Sequence, residues 1–235
     1  QGMRAAHLQR CLRAAGPACP SRTPRSPWAL HPALMSTASA AADAFVQAWA
    51  HQKWIDSPSG YPEAPRSVAG LYEVHLAMQQ HPLAAEELGG LGGYKIGAVG
   101  AEGEACIYAP LFRRFLVEAP GDGLSAGSVQ MHQVEPEFGI ILGADLLART
   151  DGRPHTCEEV WAAAESVVLC IECCGRRATP EVLEAQTRLG KMSDALSAGG
   201  VVLGPRLPVR PIALHAHPSA AGRSMLAACR SLLAA

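Results

Sequence analysis

Aromatic side chains are scarce: Phe, Tyr and Trp make up 5% of the 235 residues, too few for a base-stacking nucleic-acid platform. No run of about 18 consecutive apolar residues occurs, which excludes a membrane-spanning helix. Lysine is rare, three residues against 17 Arg. Acidic residues are missing from 1–42 and from 195–235, so all 21 lie between Asp43 and Asp194. That middle block carries a net charge of −10, flanked by blocks of +5 and +4. An acidic body disfavours phosphate backbones and anionic membrane surfaces as partners, and it is compatible with a divalent-cation site. What is present is a globular composition, 49% hydrophobic and 17% charged with mean hydropathy +0.08, and no internal repeat.

Residues 1–42 carry Arg4, Arg10, Arg13, Arg22 and Arg25 among many Ala, Ser and Pro. An Arg-rich, Ser-bearing, acid-free stretch without a continuous apolar core has the composition of a transit peptide. The segment is therefore expected to be a disordered leader addressing a mitochondrion or plastid. Read instead as a tail or as translated sequence ahead of Met3 or Met35, it leaves the protein cytoplasmic. Pro17, Pro20, Pro24, Pro27 and Pro32 argue against one long helix here.

The eight cysteines, at 11, 19, 106, 157, 170, 173, 174 and 229, are irregularly spaced in a chain too long to need disulfide staples. Cys170 and Cys173 form a single Cys-x-x-Cys, but on a strand they face opposite sides and cannot chelate together. Reduced, buried thiols are the expected reading.

In the body, Phe45, Val46 and Trp49 predict a helix over 38–54. A Ser, Pro and Gly linker follows over 56–66. Ser67 is placed to cap a helix through Gln80 on which Val68, Leu71, His75 and Met78 recur at helical spacing. Gly-rich 89–93 precedes a strand from Tyr94 to Val99. Strands are expected over Val134–Leu142, Ser166–Cys174 and Gly199–Leu203. Thr156-Cys157-Glu158-Glu159 is a capping box opening a helix to about Glu165, and Thr179-Pro180 opens another that ends at Gly190. Gly121 to Ala126 fits G-x-G-x-x-A but leads into an extended segment, so it reads as a tight turn. Strands mixed with isolated helices indicate an α+β fold. The expected divisions are a leader over 1–42, a helical region over 43–92, a β domain over 93–204 and an atypical tail over 205–235.

Glu135 and Glu137, in Val134-Glu135-Pro136-Glu137, point to one face of a strand. Adjacent like charges raise each other's pKa unless a cation lies between them. Pro136 cannot donate to a ladder, which marks an edge or a strand start. Glu172 ends a buried run, Val167 to Cys174, where a carboxylate must be paired or bound to metal. Three carboxylates at one point would make a hard-oxygen site for Mg2+ or Mn2+. Spacing alone leaves open an alternative: two solvated acids, with Glu172 paired to Arg176 or Arg177.

Five pieces occur in order over residues 40–204: Gly93-Tyr94-Lys95-Ile96-Gly97, Tyr108-Ala109-Pro110-Leu111-Phe112, Val134-Glu135-Pro136-Glu137, Ile171-Glu172, and Ser193-Asp194 through Gly199–Gly204. Together they resemble the 2-keto-4-pentenoate hydratase / 4-oxalocrotonate decarboxylase family of the fumarylacetoacetate hydrolase superfamily. The resemblance implies a mixed β-roll with N-terminal helices around a Mg2+ or Mn2+ held by Glu135, Glu137 and Glu172. It implies a catalytic role for Lys95, orienting substrate or moving a proton, and substrate contacts from Arg177 and Ser197. His132, on the opposite strand face from Glu135, is expected at the surface or behind the site.

The chain departs from the family in two places. Asp194-Ala195-Leu196-Ser197-Ala198-Gly199 lacks the Asn and second Ser of D-N-A-S-S-G, and Gly175 stands where the family carries Asp. Residues 205–235 hold Pro205, Pro208, Pro211 and Pro218, no acid and no matching strand pattern, so the roll is expected to be C-terminally incomplete.

The resemblance implies a metal-dependent hydro-lyase adding water to a 2-hydroxy-2,4-dienoate in aromatic catabolism, acting as a homo-oligomer on a small 2-oxo or 2-hydroxydienoate acid. Decarboxylation of a 4-oxalocrotonate-type substrate and hydrolysis of an acylpyruvate are the alternatives on the same fold. A non-catalytic structural subunit is the alternative of a different class.

Overall fold

The structure, a computed structural model, describes residues 32–97, 107–121, 123–147 and 149–209, with side chains from residue 37 onward. Helix α1 (Pro32–Ala50) is Ala-rich, and Pro32 at its first turn lacks only an N–H that would have no helical partner there. Ala38, Ala41, Ala42, Phe45, Val46 and Trp49 recur along one face and are buried in the main core. The helix thus begins inside the segment expected to be a leader. Its small, apolar face is what the composition of 1–42 concealed.

Helix α2 (Val68–Gln80) is capped by Ser67, whose hydroxyl accepts from the Gly70 N–H at 3.1 Å. It buries Leu71, Val74, His75 and Met78, while Val68, expected on that face, is exposed. His81 is extended because Pro82 follows, and a short helix α3 (Pro82–Glu86) restarts from it. Two antiparallel strands come next, β1 (Leu91–Gly97) and β2 (Ile107–Phe112), with Lys95 opposite Ala109. The continuation of β1 expected to Val99 lies outside the described residues.

The second sheet has the order β3-β6-β5-β4. Its strands are β3 (Leu116–Glu118), β4 (Met131–Leu142), β5 (Ala164–Gly175) and β6 (Gly200–Pro208). β3 and β6 run parallel and the other pairs antiparallel, so the sheet is mixed, as the α+β reading expected. Helix α4 (Cys157–Ala163) leads into β5 and carries both halves of the capping box formed by Thr156 and Glu159. The helix expected from Thr179 to Gly190 is two pieces, α5 (Pro180–Glu184) and α6 (Arg188–Ser193). Thr187 divides them, because its hydroxyl accepts from the Gly190 N–H and caps a fresh helix.

None of the three expected divisions falls between elements: 42/43 cuts α1, 92/93 cuts β1 and 204/205 cuts β6. The run of β6 past Gly204 has a clear cause. Only Val201–Leu203 of β6 pairs with β3, so the strand beyond is bonded on one side alone, where Pro205 and Pro208 are tolerated. Residues 210–235 lie outside the described set.

The core centres on Trp49, stacked on Phe115 and edge-on to Phe112, with the Arg177 guanidinium 4.1 Å from its ring centroid. Among the described residues, much of the opposite side of the four-stranded sheet is exposed. Val134, Phe138, Ile140, Leu142, Leu169, Ile171 and Leu207 are exposed, Phe138 by 77%.

Candidate metal and substrate site

β4 and β5 are in a register that sets Glu135 directly opposite Glu172 and Glu137 opposite Cys170. Side chains two apart share a face, so Glu135, Glu137, Cys170, Glu172 and Cys174 all point to the inner side of the sheet. Glu172 is fully buried. One of its oxygens, Oε1, accepts from Lys95 Nζ at 2.6 Å, and Lys95 also donates to the Leu196 carbonyl at 3.2 Å. Its other oxygen, Oε2, is buried with no hydrogen-bond partner.

This corrects the alternative read from spacing, in which Glu172 paired with Arg176 or Arg177. The partner is Lys95, brought from β1, a contact between residues far apart in sequence. Burial pushes the Glu172 carboxyl up, Lys95 pulls it back, and the nearby Glu137 and Glu135 carboxylates raise it further. Glu137 is likewise pushed up, chiefly by burial, with Lys95 opposing and Glu135 reinforcing. Burial and neighbouring carboxylates acting together on two acids mark a place that is short of positive charge.

Among the described residues, Glu135, Glu172 and Cys174 each offer a ligand atom, all within 4.8 Å of one another. Glu137, on the same face, is not a member of that close group. The donors present therefore fit a divalent cation: opposed carboxylates, an orphaned buried oxygen, and an ammonium as the single positive charge bonded to Glu172. Cys174 was overlooked in the sequence, although its i+2 spacing from Glu172 on a buried strand puts it on the same face. Burial and the Glu172 charge push its thiol up to about 12.

Arg177 is bonded to the protein itself. It is wholly buried: its Nε donates to Asp194 Oδ1, its Nη2 to the Asp194 carbonyl at 2.9 Å, and its Nη1 to the Ala198 carbonyl. Its backbone N–H donates to Asp194 Oδ2 at 2.8 Å. An Arg two residues past Gly175 was legible; that Asp194 would claim it was not. The pair fixes the turn at Ala195–Ser197, three successive residues with φ of 44°, 52° and 60°. This left-handed run aims the Leu196 carbonyl at Lys95. Ser197 is half-buried in that turn, its N–H donating to the Asp194 carbonyl at 2.8 Å. Ser197 and Lys95 are thus neighbours through Leu196. His132 is exposed, as expected.

Gly175, where the resemblance called for Asp, has no room for any side chain. A Cβ there would overlap the Val129 carbonyl and crowd Gly199.

No protein-family model and no curated protein matches the chain. Its fold does match solved structures of 4-oxalocrotonate decarboxylase from Pseudomonas putida G7. One, complexed with magnesium and adipate, superposes with TM-score 0.57 at 19% identity over 76% of this chain. Another, complexed with calcium and acetate, gives TM-score 0.55 at 18% identity over the same share. The chain spans 66% of the length of each of these structures. The fold is therefore of the kind that the sequence resemblance named.

Proposed function

We propose that this chain is a divalent-cation-dependent enzyme acting on a small 2-oxo or 2-hydroxydienoate acid, as a hydro-lyase that adds water to the dienoate. The observation that carries the reading is the buried Glu172, opposite Glu135, with one oxygen on Lys95 and the other unsatisfied. Glu135 and Glu172 would hold the cation, with Glu137 beside them. When bound, a Mg2+ or Mn2+ supplies a Lewis acid that holds a 2-oxo acid and stabilises negative charge on its oxygens.

The chain's own residues do the rest. Lys95 would orient the substrate or move a proton at Nζ, and its two acceptors, Glu172 and the Leu196 carbonyl, hold it at the edge of the carboxylate cluster. The Ala195–Ser197 turn presents the Ser197 hydroxyl as a substrate donor. Arg177 and Asp194 fix that turn from beneath.

The test is the loss of dienoate absorbance with Mg2+, with chelator, and with Lys95→Ala. Turnover that needs the ion and falls by about 100-fold or more in the variant supports the reading. Turnover indifferent to both ends it. A second reading, decarboxylation of a 4-oxalocrotonate-type acid, is favoured by the activity named for the matching solved structures. Release of carbon dioxide, measured on the same preparations, separates the two.

A further inference from the structure

We propose that Cys174 is itself a ligand of this site, so that two carboxylates and a thiolate select a borderline divalent cation such as Zn2+ or Co2+ over Mg2+. The proposal rests on the reading of Glu135 and Glu172 as a cation site.

Three observations carry it. The ligand atoms of Glu135, Glu172 and Cys174 lie within 4.8 Å of one another, whereas Glu137 stands outside that group. The third donor nearest the two glutamates is therefore sulfur, not oxygen. Cys174 is 4% exposed and on the same strand face as Glu172, so the thiol is fixed beside the carboxylates rather than turned to solvent. Independently, Glu172 Oε2 is buried and has no hydrogen-bond partner, so its lone pairs are available within the same cluster.

Distances decide whether one ion can serve all three. Zn2+ binds carboxylate oxygen at about 2.0–2.2 Å and thiolate sulfur at about 2.3 Å, so donors up to about 4.5 Å apart share one ion. A 4.8 Å spread closes with a shift of a few tenths of an ångström. Softness decides which ion. Thiolate disfavours Mg2+, which takes hard oxygens and keeps its waters, and favours Zn2+ and Co2+. On binding, the cation replaces the thiol proton, which leaves to solvent; no electron is transferred.

Co2+ is the probe, followed by calorimetry and by absorbance. The wild-type chain should bind it with a near-ultraviolet sulfur-to-cobalt charge-transfer band that saturates with occupancy. Cys174→Ser should bind Co2+ without the band and at least about 10–100-fold more weakly, with Mg2+ affinity unchanged. Cys173→Ser, whose side chain packs in the main core, should keep the band. Co2+ bound by the wild type without the band, or a band surviving Cys174→Ser, overturns the thiolate ligand and leaves the two-carboxylate site standing. Failure to bind either ion overturns both.

Discussion

Glu172 shows how much one buried side chain can specify. An ionised carboxylate in a strand interior is costly unless compensated, and Lys95 compensates only one of its two oxygens. Removing the acid opposite should therefore be felt in cation binding more than in folding. Calorimetric titration of Mn2+ should show Glu135→Ala losing at least about tenfold in affinity; equal binding in both proteins would remove the site. Arg177 makes the opposite case. All three of its guanidinium nitrogens donate to Asp194 or Ala198, so its loss strands a buried aspartate. Arg177→Met should lower unfolding free energy by about 3–5 kcal/mol in urea. A variant as stable as the wild type but unable to bind substrate would return Arg177 to the role that the resemblance implied.

At the scale of elements, α2 is tied to β2 and to α6 through one residue. The two ring nitrogens of His75 lie 3.2 Å from the Tyr108 carbonyl and 3.1 Å from the Met192 carbonyl. Those carbonyls favour the charged ring, but burial outweighs them and holds the pKa at about 4. The unfolded chain takes up this proton near pH 6.5, so the folded state loses stability as pH falls from about 6.5 to about 4. The share from His75 amounts to about 3 kcal/mol. Urea midpoints should fall over that range, and His75→Leu should flatten the slope by this share. An unchanged slope would mean that the ring is already charged when folded. The two-sided pairing of β5, with β4 and β6, likewise explains why the site lies where it does: a central strand holds Glu172 and Cys174 rigidly.

On the scale of the whole molecule, the four-stranded sheet has one face toward the site and one that is largely exposed among the described residues. Val134, Phe138, Leu169, Ile171 and Leu207 are each about half exposed or more. Apolar patches of this kind bind hydrophobic dyes and promote association. Phe138→Lys with Leu169→Lys places two charges side by side, since these residues are register partners. The double variant should bind less anilinonaphthalene sulfonate than the wild type and remain soluble at higher concentration. Undiminished dye binding would show that the face is already covered in solution.

The sequence by itself determined the local devices. The Ser67 cap, the Thr156–Glu159 box and the strands of β4 and β5 follow from residue type and spacing, which act over a few positions. So does the shared face of Glu135 and Glu137. The resemblance over 40–204 extended this to the fold, which the superposed decarboxylases bear out. Only the tertiary structure decided which groups meet across distance. The β4–β5 register set Glu172 against Glu135, and the β1–β2 pair delivered Lys95 to it. Asp194 claimed Arg177, and β6 ran on through two prolines because one of its edges is unpaired there. Contacts of this kind depend on register and on competing partners, neither of which a single chain of letters encodes locally.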